Sequence, residues 1–310
     1  MRYLAAAVLG LALVGPFLVP ANESGDDDPA GARYLPPLTR AYVVPLRSGS
    51  HRVVTSLHRA DGGWTGRRAG ADVFFGDEEV AGPPAARFYA LGTDGLGRDL
   101  LDRMLRGARH SVLVAGAGVA VALFLGVLVG TAAGLARPGG DAVLMRFTDV
   151  LLATPRFLVY LLCAALFGPS TFLVIVVVGL TTWPSLARLV RASTRALRGH
   201  EGILAARAAG CSPARLVVRH LLPALEPAVA VTAALRFSDT IRLEAALSFL
   251  GVGSPPPAVS LGAIVASGRG VLADAWWVAA WPGLAIALLV LAVRSAVARP
   301  SRLAEPPSVA

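Results

Sequence analysis

No lysine occurs in this 310-residue chain, and all 29 of its basic residues are arginine. A Walker A loop needs a lysine to reach the phosphates of its nucleotide. The absence therefore excludes an ordinary P-loop ATPase. Cysteine is nearly as scarce, with Cys163 in an apolar run and Cys211 in a basic one. Two thiols so placed make no disulfide framework, and each reads as a small packing residue. The five histidines (His51, His58, His110, His200 and His220) are scattered, and no H-E-x-x-H occurs. Gly95-Leu96-Gly97 lacks the strand and the later glycine of a phosphate-binding loop. No enzyme signature remains, and no cofactor or metal site is expected in this chain. Aromatic residues make up 7% of the sequence and no basic patch stands on a soluble domain, which sets nucleic acid aside as a partner.

Charge is also short, at 16% of residues, where a soluble domain carries roughly a quarter. Apolar runs take its place. Five of them, at 111–136, 147–167, 170–189, 223–250 and 275–293, approach or exceed the roughly 20 residues that cross a bilayer. Residues 3–20 form a further run behind a single arginine. With no clean A-x-A site after it, this run is expected to be an uncleaved anchor rather than a secretory signal. The sequence predicts an all-α integral membrane protein with six transmembrane helices. Between the anchor and the second span, "TRAYVVPL", "HRVVTSL" and "ADVFF" are short β-like runs parted by glycine-rich turns. "ESGDDDP" before them reads as a solvated linker. A small extracytoplasmic β-containing insertion is expected there.

The formal charge of +9 has a topological explanation. Short loops on the cytoplasmic side carry an excess of arginine and lysine. Arg137 and Arg146 flank one loop. Arg188, Arg191, Arg195, Arg198, Arg207, Arg215 and Arg219 face a single acid, Glu201, across 188–222. Arg294, Arg299 and Arg302 follow the last span. The opposite loops hold only Arg269. Both termini are thus expected in the cytoplasm. The predicted division is a transmembrane anchor at 1–20, an extracytoplasmic segment at 21–109, a transmembrane core at 110–297 and a cytoplasmic tail at 298–310.

Within that core the stretch "AARAAGCSPARLVVRHLLP", residues 205–223, breaks the greasy pattern. Helix formers run from Glu201 to Ala209, and Gly210 suits a left-handed C-terminal cap. Ser212 is a good N-cap and Pro213 is favoured at the first helical position. A second helix is expected over 214–222, stopping at Pro223. Arg215 and Arg219 share one of its faces. Two short helices with a tight corner would make a rigid basic knob.

This stretch resembles the EAA loop of bacterial ABC-importer permeases, whose pattern is Glu-Ala-Ala, three residues, Gly, then a longer gap to Leu-Pro. Ala205, Ala206, Gly210, Leu222 and Pro223 fall on that spacing. Arg219 and His220 match the version found in dipeptide, oligopeptide and nickel importers. The family glutamate is Leu204 here, with Glu201 one turn earlier, and the usual Asn after Leu-Pro is Ala224. "LGTDGLGRDLLDRMLRGARHS" (91–111), "EAALSFLGVG" and "WWVAAWPGLAIALLVLAV" also resemble this family. The likeness covers about 90–300. Read from its residues, 91–111 is an amphipathic surface helix with Asp99/Arg103 and Asp102/Arg106 as i, i+4 pairs.

The resemblance implies a multi-pass protein of the bacterial inner membrane that forms half of a translocation path for peptides or a related small solute, with nickel as a further cargo. It implies a second homologous permease, two cytoplasmic ABC ATPases that consume the ATP, and an extracytoplasmic substrate-binding protein. The loop at 190–222 would be the ATPase-coupling element. Arg236, Asp239, Arg242 and Glu244 fall within a predicted span, where ionisable groups are expensive and usually face an interior. They are candidates for a pathway lining or an inter-permease contact. A secondary transporter or channel is the competing reading. It would need coupling-ion carboxylates near the midplane, and the only candidates sit beside arginines.

Overall fold

The computed structural model describes residue 8, residues 10–15 and residues 28–297. Most of the predicted anchor and all of the tail therefore lie outside the described residues, although 10–15 are helical. The chain divides into two compact units, one holding residues 10–15, 28–112 and Ala245–Leu288, the other Leu113–Glu244 and 289–297.

In the first unit a helical turn, α1 (Pro29–Ala32), precedes six strands: β1 (Thr39–Pro45), β2 (His51–Val54), β3 (Ser56–Ala60), β4 (Gly63–Arg68), β5 (Ala71–Gly76) and β6 (Ala85–Tyr89). They form two three-stranded antiparallel sheets, ordered β2-β1-β6 and β3-β4-β5. The β4–β5 hairpin turns through Ala69 and Gly70 at φ 49° and 88°, the pair of positive φ angles that a tight two-residue turn requires. Val44, Val54 and Phe75 make one small core, with Leu57, Trp64 and Val73 against it. Ala41, Val43, Val53 and Tyr89 make another with Leu35.

Asp28 ties this region together and corrects the linker reading at that position, while residues 23–27 of the acidic run lie outside the described residues. Only 1% exposed, its carboxylate accepts from the Gly31 and Val53 N–H groups and from the Arg68 guanidinium. Burial pushes the carboxyl up, but Arg68 and the two N–H donors outweigh it and hold the group below its ordinary value. The acidic run looked solvated because its partner lies 40 residues away. Asp94 is built the same way. It accepts from the Leu96 and Arg98 N–H groups, each at 2.9 Å, and from the guanidiniums of Arg98 and Arg103. These donors again overcome the upward push of burial. The neighbouring Thr93 hydroxyl bridges the Ala32 carbonyl and the Leu35 N–H, and the Trp277 indole N–H donates to the Thr93 carbonyl at 3.4 Å.

Helix α2 (Leu100–Leu135) is a single 36-residue element. The expected surface helix and the second span are therefore one helix, because nothing between 100 and 111 breaks it. Arg106 pairs with Asp102 at 3.0 Å as expected, while the Arg103 guanidinium reaches Asp94. Next come α3 (Pro138–Ala153) and α4 (Arg156–Phe167), bent by 75°. The sequence predicted one straight span here. Pro155 has no N–H to donate and drives the preceding Thr154 out of the helical region, to ψ 124°.

Helix α5 (Thr171–Leu197) passes through Pro184 and extends eight residues past its predicted end, so Arg188, Arg191 and Arg195 lie on the helix and not in a loop. After α6 (Glu201–Ala208) and α7 (Pro213–Leu216), a π-helical turn at Val217–Leu221 leads into α8 (Leu222–Phe249). Helix α9 (Leu261–Gly268) and a 3₁₀ turn (Arg269–Val271) precede α10 (Trp277–Val297). Among the described residues, four helices are long and apolar enough to cross a membrane, or five crossings if α3 and α4 count as one.

Candidate functional site

The helix pair α2–α5 positions everything that follows in its unit. Gly118, Gly126, Gly130 and Gly134 recur at multiples of four residues. A Cβ on each would meet Val178 Cγ1 at 2.8 Å, Leu186 Cβ at 2.6 Å, the Ala187 carbonyl at 2.6 Å and Thr194 Cβ at 2.6 Å. Only glycine lets the two backbones approach this closely. Contacts advance in the same direction on both helices, so α2 and α5 run parallel. The i, i+4 glycine stripe at 126, 130 and 134 was legible in the sequence; its partner helix was not.

The arginines between 188 and 219 separate into two classes. Asp141, 5% exposed, holds Arg191 and Arg195, each with a contact at 2.6 Å. Arg188 pairs with Asp149, and Arg198 donates to the Gly134 carbonyl at 3.0 Å. These four cations are tied to α2 and α3, which a count of loop charges does not reveal. By contrast, Arg207, Arg215 and Arg219 are exposed and form no ion pair among the described residues.

Those three cations stand on a built corner. Helix α6 ends in a Schellman arrangement: the Gly210 N–H donates to the Arg207 carbonyl at 3.0 Å, and the Cys211 N–H to the Ala206 carbonyl at 3.1 Å. Gly210 sits at φ 78° as this closure demands. The Leu216 N–H returns to the Ser212 carbonyl at 2.9 Å. Ile203, Leu216 and Leu221 form a small buried core, with Ala206, Cys211, Val217, Leu197 and Leu135 packed on it. Glu201, Leu204, Ala205, Gly210, Ser212, Arg215, Arg219, His220 and Pro223 are exposed around that core.

The second helix of the corner departs from expectation. It does not stop at Pro223 but continues through it as far as Phe249. Pro223 cannot donate to the carbonyl four residues back, and its ring crowds that carbonyl. The turn just before it opens to π spacing, with the Leu222 N–H reaching the Val217 carbonyl. The extra residue makes room for the proline ring and keeps the helix continuous. The corner is thereby joined to α8 by one helical rod.

Farther along α8, Asp239 meets Arg236 at 3.6 Å and pairs with Arg242, as the i, i+3 spacing predicted. Two further groups join that the sequence did not point to. Arg294 of α10 lies 3.9 Å from Asp239, and Arg156 of α4 is within electrostatic reach of Arg236 and Asp239. In the sequence Arg294 carries a topological signal alone, and Arg156 carries none. Glu244 is fully buried near Tyr160. Among the described residues no group of three or more His, Cys, Asp or Glu side chains could hold a metal ion.

Comparison with known proteins now has a geometry to attach to. A sequence profile described as "Binding-protein-dependent transport system inner membrane component" matches residues 95–301. A Brucella suis protein named "Putative peptide transport system permease protein" is 41% identical over 211 residues, 68% of this chain and 71% of that one. The di/tripeptide transport system permease protein DppC of Pseudomonas aeruginosa is 38% identical over 208 residues, covering 67% of this chain and 68% of that one. A solved structure of the inward-facing MetNI methionine ABC transporter superposes with TM-score 0.53 at 20% identity, covering 63% of this chain and 93% of the other. That likeness shows a shared fold. On the profile match and these relatives, the chain belongs to the family of binding-protein-dependent transport system inner membrane components, the permease subunits of ABC importers.

Proposed function

We propose that this chain is one of two permease halves of a peptide importer in the bacterial cytoplasmic membrane. An external binding protein delivers the cargo, and two cytoplasmic ATPases dock on the corner at 201–222. The observation that carries this reading is the corner itself. Three arginines with no ion pair among the described residues stand on a packed, capped double turn that is one rod with a spanning helix. A rigid lever of that kind passes a displacement of its tip into α8. ATP binding shifts the transporter between states only through contacts that differ between them, and the corner is where such contacts would form. The peptide class follows the names of the relatives. ATP is consumed by the partner subunits.

Helix directions support six spans with both termini inside. Because α2 and α5 are parallel, the chain between them must return across the membrane, and the bent pair α3–α4 supplies that crossing. After α5 the chain turns through the corner at 201–222, and α8 crosses back. Strict alternation then puts 137–146, 198–213 and the end of α10 on one side, and these are the arginine-rich segments. The anchor at 1–20 makes the sixth span. The two sheets between 39 and 89, which precede α2 in the chain, fall on the outer side.

The native thiol at Cys211 tests the orientation. In a Cys163→Ala background expressed without the ATPases, a membrane-impermeant maleimide should label Cys211 only after permeabilisation. Labelling in intact cells would place the corner outside and end the proposal.

A further inference from the structure

Three guanidinium groups from two helices surround one carboxylate. Arg236 and Arg242 flank Asp239 on α8 and Arg294 approaches from α10, with Arg156 of α4 within electrostatic reach. The other acid nearby, Glu244, is fully buried beside Tyr160. Even with both acids counted, the cations are in excess. The Arg236 Nε is buried with no hydrogen-bond partner among the described residues. A desolvated guanidinium without its complement of acceptors is costly, more so within a membrane. Asp239 alone cannot accept from three forks. Arg242 and Arg294 keep roughly half of their side-chain surface open, 51% and 46%, so their spare donors remain free to meet an incoming group.

We propose that this cluster binds the carboxylate of the transported solute, in the first instance the C-terminal carboxylate of a short peptide. The inference rests on the permease reading and names the chemistry that the path recognises. A guanidinium presents two parallel N–H donors that fit a carboxylate in bidentate fashion. Asp239 holds the forks of Arg236 and Arg242 in place before the ligand arrives. The setting favours a solute over a lipid headgroup. Arg236, Thr240 and Glu244 recur every four residues, so polar groups continue from the cluster along one face of α8. Neighbouring carbonyls satisfy Ser238 and Thr240, so the arginines supply the free donors.

The test uses the assembled importer in nanodiscs, with its binding protein. Two probes are compared: an equimolar mixture of dipeptides and the same mixture with C-terminal amides. Stimulated ATPase activity is read for the wild type, Arg242→Gln and Arg242→Lys. Co-purification of the ATPases reports assembly, so failure of the permease reading would appear there. The expected result is a loss of about tenfold for the acid mixture in Arg242→Gln, the usual cost of one charge-assisted hydrogen bond. Partial rescue by lysine is expected, with no change in any response to the amides. Equal loss for acids and amides, no loss, or no stimulation by either mixture overturns the proposal. So does an effect that appears only when phosphatidylglycerol is present and does not distinguish the probes, which would make a lipid phosphate the occupant.

Discussion

Asp28 shows how much one buried carboxylate organises. It receives two backbone N–H groups and a guanidinium from β4, joining the turn before β1 to both sheets. Breaking one side of such a buried pair costs about 3 kcal/mol, so Asp28→Asn should lower the melting temperature of the purified chain. The pH dependence has a definite sign. The folded carboxyl lies below its unfolded value of 3.8, so its contribution is complete above that value and fades as pH falls through the folded pKa. The wild-type advantage over Asp28→Asn should therefore shrink below pH ~3.8. Asp99, whose carboxyl is raised by burial, acts with the opposite sign in both proteins and cancels from the comparison. A gap that stays constant to low pH would show that charge plays no part. None of this was legible in "ESGDDDP", since a local composition says nothing about a partner 40 residues away.

At the scale of elements, the apolar runs were legible because each spans many residues of one character. Their ends were not. The second span joined a charged helix before it since no residue between them breaks a helix, and 147–167 split because Pro155 does. The glycine ladder gives a prediction that belongs here. At Gly130 a Cβ would already crowd the Ala187 carbonyl and Val190 Cβ, at 2.6 and 2.7 Å. Gly130→Val should therefore force α2 and α5 apart, costing about 1–3 kcal/mol or more. Thermal scanning in detergent would read this as a lower midpoint; an unchanged midpoint would contradict the close packing. The corner was legible as two short helices about Gly210, since cap chemistry is local. The π turn was hidden, because a proline reads as a stop unless the preceding turn widens. Pro223→Ala restores the missing N–H and removes the reason for that widening. The expected result is a corner rotated relative to α8, so that the assembled importer hydrolyses ATP with less transport per ATP. An unchanged ratio would mean that the π turn does not set the coupling angle.

For the whole molecule, the sequence patterns for membrane insertion and for the permease family agree with the fold, while the sites divide. The corner residues come together as a cap and a small core because they are neighbours in sequence. The cluster around Asp239 was legible only along α8, and its other two arginines depend on how α4 and α10 pack. In the proposed function, the exposed arginines of the corner bind the cytoplasmic ATPases and thereby make this chain the driven half of an importer. The most direct test is co-purification of the ATPases with the complete importer carrying Arg207→Glu, Arg215→Glu and Arg219→Glu together. These side chains are exposed and have no ion-pair partner among the described residues, so the reversal should leave the fold's stability within about 1 kcal/mol of wild type. The account predicts ATPase bound to the wild type and lost from the triple variant, with membrane insertion unaffected. ATPase retained at wild-type levels by the triple variant, or absent from the wild type, would contradict it.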